Sequence, residues 1–232
     1  IEGLKLDEDG NVIAGAKFGL FKPGTTEFTE ETAVLVTESD SEGKFRFEDI
    51  RFGKWIVREL VPATGYVLNE TPIEVNIQTE GEIINISFEN KFIRSDIKGY
   101  KVDEDGKPVE GALFGLFTET DTEFTEENAV LTAKSDADGI FFFDDIRFGK
   151  WIVKELAPAE GFVANDTVFP IDVTTDGAVI EINAENRHIY GMVHTTKVDK
   201  DYPDNLLAGA IFEIYMDVDG NKEFNADVDT LV

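Results

Sequence analysis

The stretch RFGKWIVREL at residues 51–60 returns almost letter for letter as RFGKWIVKEL at residues 147–156. At the two-residue period of a strand, Trp55, Val57 and Glu59 share one face, and Trp151, Val153 and Glu155 do the same in the second copy. Each apolar row ends on a glutamate. A carboxyl group carried into a protein interior must be neutralised, paired or used chemically, because an isolated buried charge is too costly to keep. These two strands therefore predict both a core and something for an acid to do inside it.

The repetition reaches well beyond these strands. IEGLKLDEDG at 1–10 matches IKGYKVDEDG at 97–106, and GAKFGLF, TEFTEE, DIRFGKWIV and EN follow in the same order with few changes. The offset is constant, since 101 − 5 and 155 − 59 both give 96. A gapless repeat of this length is a tandem duplication of whole domains. A third copy opens at Lys197, again 96 beyond Lys101, and ends at Val232 before any RFGKW counterpart. The expected domains are 1–94, 95–190 and, as the first part of a third, 191–232.

Within each copy, Asp9-Gly10, Glu42-Gly43, Asp105-Gly106 and Asp138-Gly139 separate short alternating runs such as AKFGLF and KFRFEDI. Only TEFTEETAV and its copy TEFTEENAV have a helical cast, a single turn capped by Thr29 or Thr125. Units of 96 residues with many short strands and no long helix predict an all-β chain of tandem antiparallel β-sandwich domains. The linkers at 91–96 and 187–194 are short and poor in Gly, Pro and Ser, which predicts a semi-rigid rod.

The chain has 232 residues, 42% of them hydrophobic, enough for real cores. With 48 acidic and 21 basic residues its formal charge is −27, which repels phosphate backbones and anionic headgroups. Neither nucleic acid nor a membrane surface is an expected partner, and no stretch approaches the roughly 20 apolar residues of a membrane span. The opening IEGLKLDEDG is not a signal peptide, so the chain reads as a fragment with its targeting signals elsewhere. There is no cysteine for disulfides or thiolate metal sites, so an exported protein of this kind needs another staple.

Three polar residues per copy point at the core. Ile1, Gly3 and Lys5 share a face of the first strand, as do Ile97, Gly99 and Lys101; Ile84, Ile86, Phe88 and Asn90 share a face of the last, as do Ile180, Ile182, Ala184 and Asn186. Lys, Glu and Asn are thus aimed inward twice, Lys to Glu 54 residues apart and Lys to Asn 85 apart. One reading is a buried Lys-Glu ion pair bridged by an amide. The other is chemical. Desolvation lowers a lysine's pKa and raises a glutamate's, giving a nucleophilic amine beside an acid that can shuttle protons. Attack on the Asn side-chain carbonyl then releases ammonia and leaves a Lys-Asn amide.

At these residues the sequence resembles a known family, the B-type domains of collagen adhesin and of Gram-positive major pilins (Cna-B or SpaA type, prealbumin-like sandwiches). The resemblance rests on Lys5, Asp7, Gly15, Ala16 and Phe18, on W-x-V-x-E-L-x-P-A-x-G-Y from Trp55 to Tyr66, and on Glu89-Asn90. It rests equally on Lys101, Asp103, Gly111, Ala112 and Phe114, on Trp151 to Phe162, and on Glu185-Asn186. It covers residues 1–188, and the start of a third domain from 193. It implies a spontaneous intramolecular isopeptide bond, with Lys5 and Lys101 as nucleophiles, Asn90 and Asn186 as acceptors, and Glu59 and Glu155 as assisting acids. Lys197 has no such partners in the chain, and no bond is expected there.

The implied function is structural: a stalk or shaft segment of an adhesin or pilus-like protein on a bacterial cell surface, its partners the neighbouring domains of the same protein. No cofactor is expected, nor any turnover beyond the self-reaction. The alternative is a binding module without cross-links that recognises host matrix protein or glycan, for which Phe28 and Phe124 are the candidate loop aromatics. A weak calcium candidate is Asp217, Asp219, Asn221 and Glu223, but Gly220 and Val228 break the EF-hand order and a hairpin turn is the better reading. His188 and His194 lack further ligands nearby and read as linker residues. Asp204 stands where the faint pilin-like motif at Tyr202, Pro203 and Asn205 needs a lysine. The triplets NET, NDT and NIS match glycosylation acceptors by pattern alone.

Overall fold

A computed structural model describes every residue except Asp219. The first copy contains β1 (Glu2–Asp7), β2 (Lys17–Phe21), β3 (Leu35–Glu38), β4 (Lys44–Arg46), β5 (Gly53–Val61), β6 (Ile73–Ile77) and β7 (Asn85–Asn90). The second contains β8 (Arg94–Asp103), β9 (Leu113–Thr118), β10 (Leu131–Lys134), β11 (Ile140–Arg147), β12 (Gly149–Ala157), β13 (Val168–Val173) and β14 (Ala178–Asn186). Each copy is a sandwich of a three-stranded and a four-stranded sheet, ordered β4-β1-β7 and β3-β2-β5-β6, then β11-β8-β14 and β10-β9-β12-β13.

Neighbouring strands pair antiparallel, with one repeated exception. The first and last strands of each copy run parallel, Lys5 opposite Phe88 and Asp7 opposite Asn90 in β1 and β7, Lys101 opposite Ala184 and Asp103 opposite Asn186 in β8 and β14. The chain therefore enters a sandwich at one end of this strand pair and leaves it at the other. The turns fall at the Gly positions read from sequence, with Gly10, Gly43, Gly106 and Gly139 all at positive φ.

The core is aromatic. Phe18 stacks on Phe45 at 3.8 Å between ring centroids, and Phe114 on Phe141 at 3.7 Å, with all four rings buried. Fully burying such a side chain stabilises by about 1.5–3 kcal/mol. The stack lies flat on the first strand because Gly3 and Gly99 stand beneath it, where any Cβ would collide with the ring of Phe45 or Phe141. The TEFTEE segments form one turn each, closed by the Ala33 N–H donating to Thr29 O and the Ala129 N–H to Thr125 O, both at 3.1 Å.

The two copies form one compact unit, Ile1–Ile189. Between them Arg94 Nη1 meets Glu8 Oε1 at 2.6 Å and Arg147 Nη2 meets Asp9 Oδ2 at 3.0 Å, while the Arg147 guanidinium lies 4.3 Å from the centre of the Phe92 ring. Phe148 donates its N–H to Ile93 O at 2.8 Å, and its ring packs on Gly65, which leaves that space open. Only residues 91–93 separate β7 from β8. The second unit, Tyr190–Val232, contains the two-residue strands β15 (Tyr215–Met216) and β16 (Thr230–Leu231), paired antiparallel.

Candidate functional site

Each sandwich brings its three inward polar residues together. Lys5 comes from β1 and Asn90 from the adjacent β7, while Glu59 reaches across from β5 in the facing sheet. Lys5, Glu59 and Asn90 are 0%, 1% and 1% exposed, and Lys101, Glu155 and Asn186 are 0%, 6% and 3% exposed, so bulk water is excluded from both clusters.

In the first cluster Asn90 Nδ2 donates to Glu59 Oε1 at 3.0 Å, and the same oxygen lies 3.5 Å from Lys5 Nζ. Lys5 Nζ and Asn90 Oδ1 have no hydrogen-bond partner among the described residues. In the second, Asn186 Nδ2 donates to Glu155 Oε1 at 2.8 Å and Oε2 at 3.1 Å. Here Lys101 Nζ turns to main-chain carbonyls instead, Val102 O at 3.1 Å and Ala184 O at 3.2 Å, and Asn186 Oδ1 has no hydrogen-bond partner among the described residues. The two sites differ in where the amine points, while the Asn side-chain nitrogen donates to the Glu carboxyl in both, to one oxygen in the first and to both in the second.

Burial pushes the Lys5 amine below its ordinary pKa of 10.5, against the opposing pull of Glu59 and Glu89. Burial does the same to Lys101, against Glu155, Glu185 and Asp103. Burial thus works against the charged form at both sites, although Lys5 Nζ lies 3.5 Å from Glu59 Oε1 and Lys101 Nζ meets two main-chain carbonyls, and the neutral form of such an amine is the nucleophilic one. In the first cluster Glu59 Oε1 already bonds the amide nitrogen and lies 3.5 Å from the amine, so a small approach of Lys5 Nζ puts one carboxyl oxygen against both nitrogens between which a proton would pass.

Asp7 and Asp103, two residues beyond the lysines, serve the turn: Asp7 Oδ1 accepts the N–H groups of Asp9 at 3.0 Å and Asn11 at 2.8 Å, and Asp103 Oδ1 those of Asp105 at 2.9 Å and Lys107 at 2.8 Å. Burial raises the Asp7 pKa, yet the bonds from Asn11 and Asp9 outweigh it and hold the carboxyl below its usual 3.8.

Sequence reasoning missed Asn69 and Asn165, which appeared only as the first letters of NET and NDT. The N–H of Asn69 donates to Glu59 Oε2 at 2.7 Å, its Nδ2 donates to Glu89 O at 2.9 Å, and its Oδ1 accepts the Thr71 N–H at 3.0 Å. Asn165 makes the matching bonds to Glu155 Oε2 at 2.7 Å, Glu185 O at 2.9 Å and the Thr167 N–H at 2.8 Å. The available signal was positional, since 165 − 69 is again 96.

Elsewhere the chemistry is sparser. Phe28 packs edge-on against Phe21 at 4.9 Å under the Arg58 guanidinium, and Phe124 against Phe117 at 5.0 Å under Lys154, so both are half-buried. Lys197 is exposed. No group of three metal-capable side chains occurs among the described residues. Asp217 Oδ2 accepts the Lys222 N–H at 2.8 Å and Asn221 Oδ1 the Glu223 N–H at 2.6 Å, while Asp219 lies outside the described residues. His188 Nδ1 sits 3.1 Å from Glu104 Oε2, and His194 is exposed.

Comparison with known proteins agrees with this architecture. No curated protein matches the chain. The chain is similar to the solved structure of the Bacillus anthracis TIE protein, with 21% identity over 81% of this chain and 33% of that one, and a TM-score of 0.69. It is also similar to a C-terminal fragment of pilus adhesin SpaC from Lactobacillus rhamnosus GG, with 13% identity over 83% of this chain and 98% of that one, and a TM-score of 0.53. The chain thus spans about a third of the TIE protein's length, and at these identities the likeness is one of fold. The family described as SpaA, prealbumin-like fold domain, matches twice, at residues 1–92 and 95–188. With two sandwiches of this build occupying most of its length, the chain belongs to the SpaA prealbumin-like fold domain family.

Proposed function

We propose that the chain is a shaft segment of a bacterial surface adhesin or pilus-like protein, outside the cell, in which the sandwiches at 1–94 and 95–190 each seal themselves with a Lys-Asn isopeptide bond. The observation that carries this reading is the buried cluster itself. A lysine without a hydrogen bond, a carboxyl 3.5 Å from it and an acceptor amide 3.0 Å from that carboxyl lie between the first and last strands of the first sandwich, and the second aligns acid and acceptor likewise. Domains of this fold in pilus adhesins support the structural role.

The neutral Lys5 Nζ attacks Asn90 Cγ and forms the new C–N bond. Glu59 takes the proton this nitrogen sheds and delivers one to Asn90 Nδ2, which departs as ammonia. Lys101, Glu155 and Asn186 repeat the sequence once Lys101 leaves its carbonyl partners. Burial supplies alignment and keeps water from competing. Each site reacts once, so the chain is not a turnover enzyme. On this reading the bond joins the chain's entry and exit strands, which pair in parallel, so tension passes from β1 into β7 through it and the rest of the sandwich is bypassed.

The test is the intact mass of the denatured protein. A deficit of two ammonia masses against the sequence is expected, with Glu59→Ala and Glu155→Ala each restoring one. A mass equal to the sequence refutes the cross-links and leaves two buried ionic clusters.

A further inference from the structure

We infer that Asn69 and Asn165 are positioning residues for the cross-linking reaction, each stapling the assisting acid to the strand that carries the acceptor. The inference rests on the isopeptide reading above. Glu59 stands on β5 and Asn90 on β7, in facing sheets, so their mutual distance depends on how well those sheets are held in register across the sandwich. Asn69 connects them directly. Its main-chain N–H binds Glu59 Oε2, and its side-chain Nδ2 binds the carbonyl of Glu89, the residue adjoining Asn90. Its remaining side-chain atom, Oδ1, accepts the Thr71 N–H in an Asx-turn that fixes the loop presenting the N–H.

The arrangement makes the two carboxyl oxygens of Glu59 inequivalent. Oε2 is occupied by a main-chain donor, which leaves Oε1 for Asn90 Nδ2 and Lys5 Nζ. The acid is thereby prevented from rotating away from the amine and the leaving nitrogen, an orientation effect of the kind where a displacement of about 1 Å costs on the order of 100-fold in rate. Asn165 repeats all three bonds within 0.2 Å of the first set, on a loop that also borders a cavity of about 360 Å³ lined by Asn165, Thr167, Glu185 and Asn186.

The experiment follows cross-linking in the whole chain during cell-free synthesis, quenched at intervals, with peptide mapping to assign each ammonia loss to its sandwich. In Asn69→Ala the first sandwich is expected to slow by about 10-fold or more while the second, in the same molecule, keeps its rate. Asn165→Ala reverses the pattern. Asn69→Ser, which keeps an acceptor for the Thr71 N–H but loses the donor to Glu89 O, stays as slow as Asn69→Ala. The inference is overturned if Asn69→Ala cross-links within about twofold of the wild-type rate, or if Asn69→Ser recovers the wild-type rate without the donor to Glu89 O. Failure of the underlying reading looks different: the wild-type chain itself would then keep its full mass.

Discussion

Glu59→Ala should convert the first sandwich from inextensible to extensible under force. With the isopeptide bond formed, a chain pulled from its ends is taut through β1 as far as Lys5, crosses to Asn90 and leaves, and the residues between them are shielded. Without the acid, no bond forms, and the 85 backbone steps from Lys5 to Asn90 become available. At about 3.6 Å per residue these amount to some 300 Å of contour length, against a separation of only about 8 Å between the two Cα atoms when β1 and β7 are paired. Asn186 − Lys101 is also 85, so Glu155→Ala should release the same length from the second sandwich. In single-molecule pulling, the wild type should show no increment of this size, each single variant one, and the double variant two equal ones. Wild-type traces with two increments of about 300 Å would refute the reasoning, as would a Glu59→Ala chain that gives none. If the bond forms as proposed, the same substitution should also remove the entropic stabilisation of closing an 85-residue loop, about 4.6 kcal/mol.

Three further outcomes follow from the geometry. In a chain kept open by Asn90→Ala and Asn186→Ala, Lys5 and Lys101 titrate below 10.5 when folded and at about 10.5 when unfolded, so the folded state binds fewer protons across that window. Denaturant-measured stability should therefore rise with pH up to about 10.5, and adding Lys5→Met and Lys101→Met should flatten that rise; a slope that survives the lysine substitutions rejects it. Phe45→Ala should destabilise the first sandwich by about 3–5 kcal/mol in the same open background, because it removes the ring stacked on Phe18 above Gly3. Arg94→Ala with Arg147→Ala should broaden the distribution of inter-sandwich distances in solution scattering, since the two guanidinium groups bridge to Glu8 and Asp9; an unchanged distribution shows that Phe148 on Gly65 suffices.

Sequence periodicity carried much of this protein. A side-chain period of two told which face of each strand was buried, and the constant offset of 96 showed every inference twice, so Lys5, Glu59, Asn90 and their copies were legible as inward-facing polar residues before any fold was known. The turns at Gly10, Gly43, Gly106 and Gly139 were equally local, because a positive φ is a property of the residue that adopts it. What periodicity does not contain is which strands become neighbours. The parallel pairing of β1 with β7, the crossing of Glu59 from the opposite sheet, and the different directions of the Lys5 and Lys101 amines all depend on packing between segments remote in sequence. Asn69 and Asn165 show the same limit most plainly. Each lies in a loop without periodicity and acts partly through its main-chain N–H, a group that every non-proline residue shares, so only the folded chain decides that this one meets a buried carboxyl group.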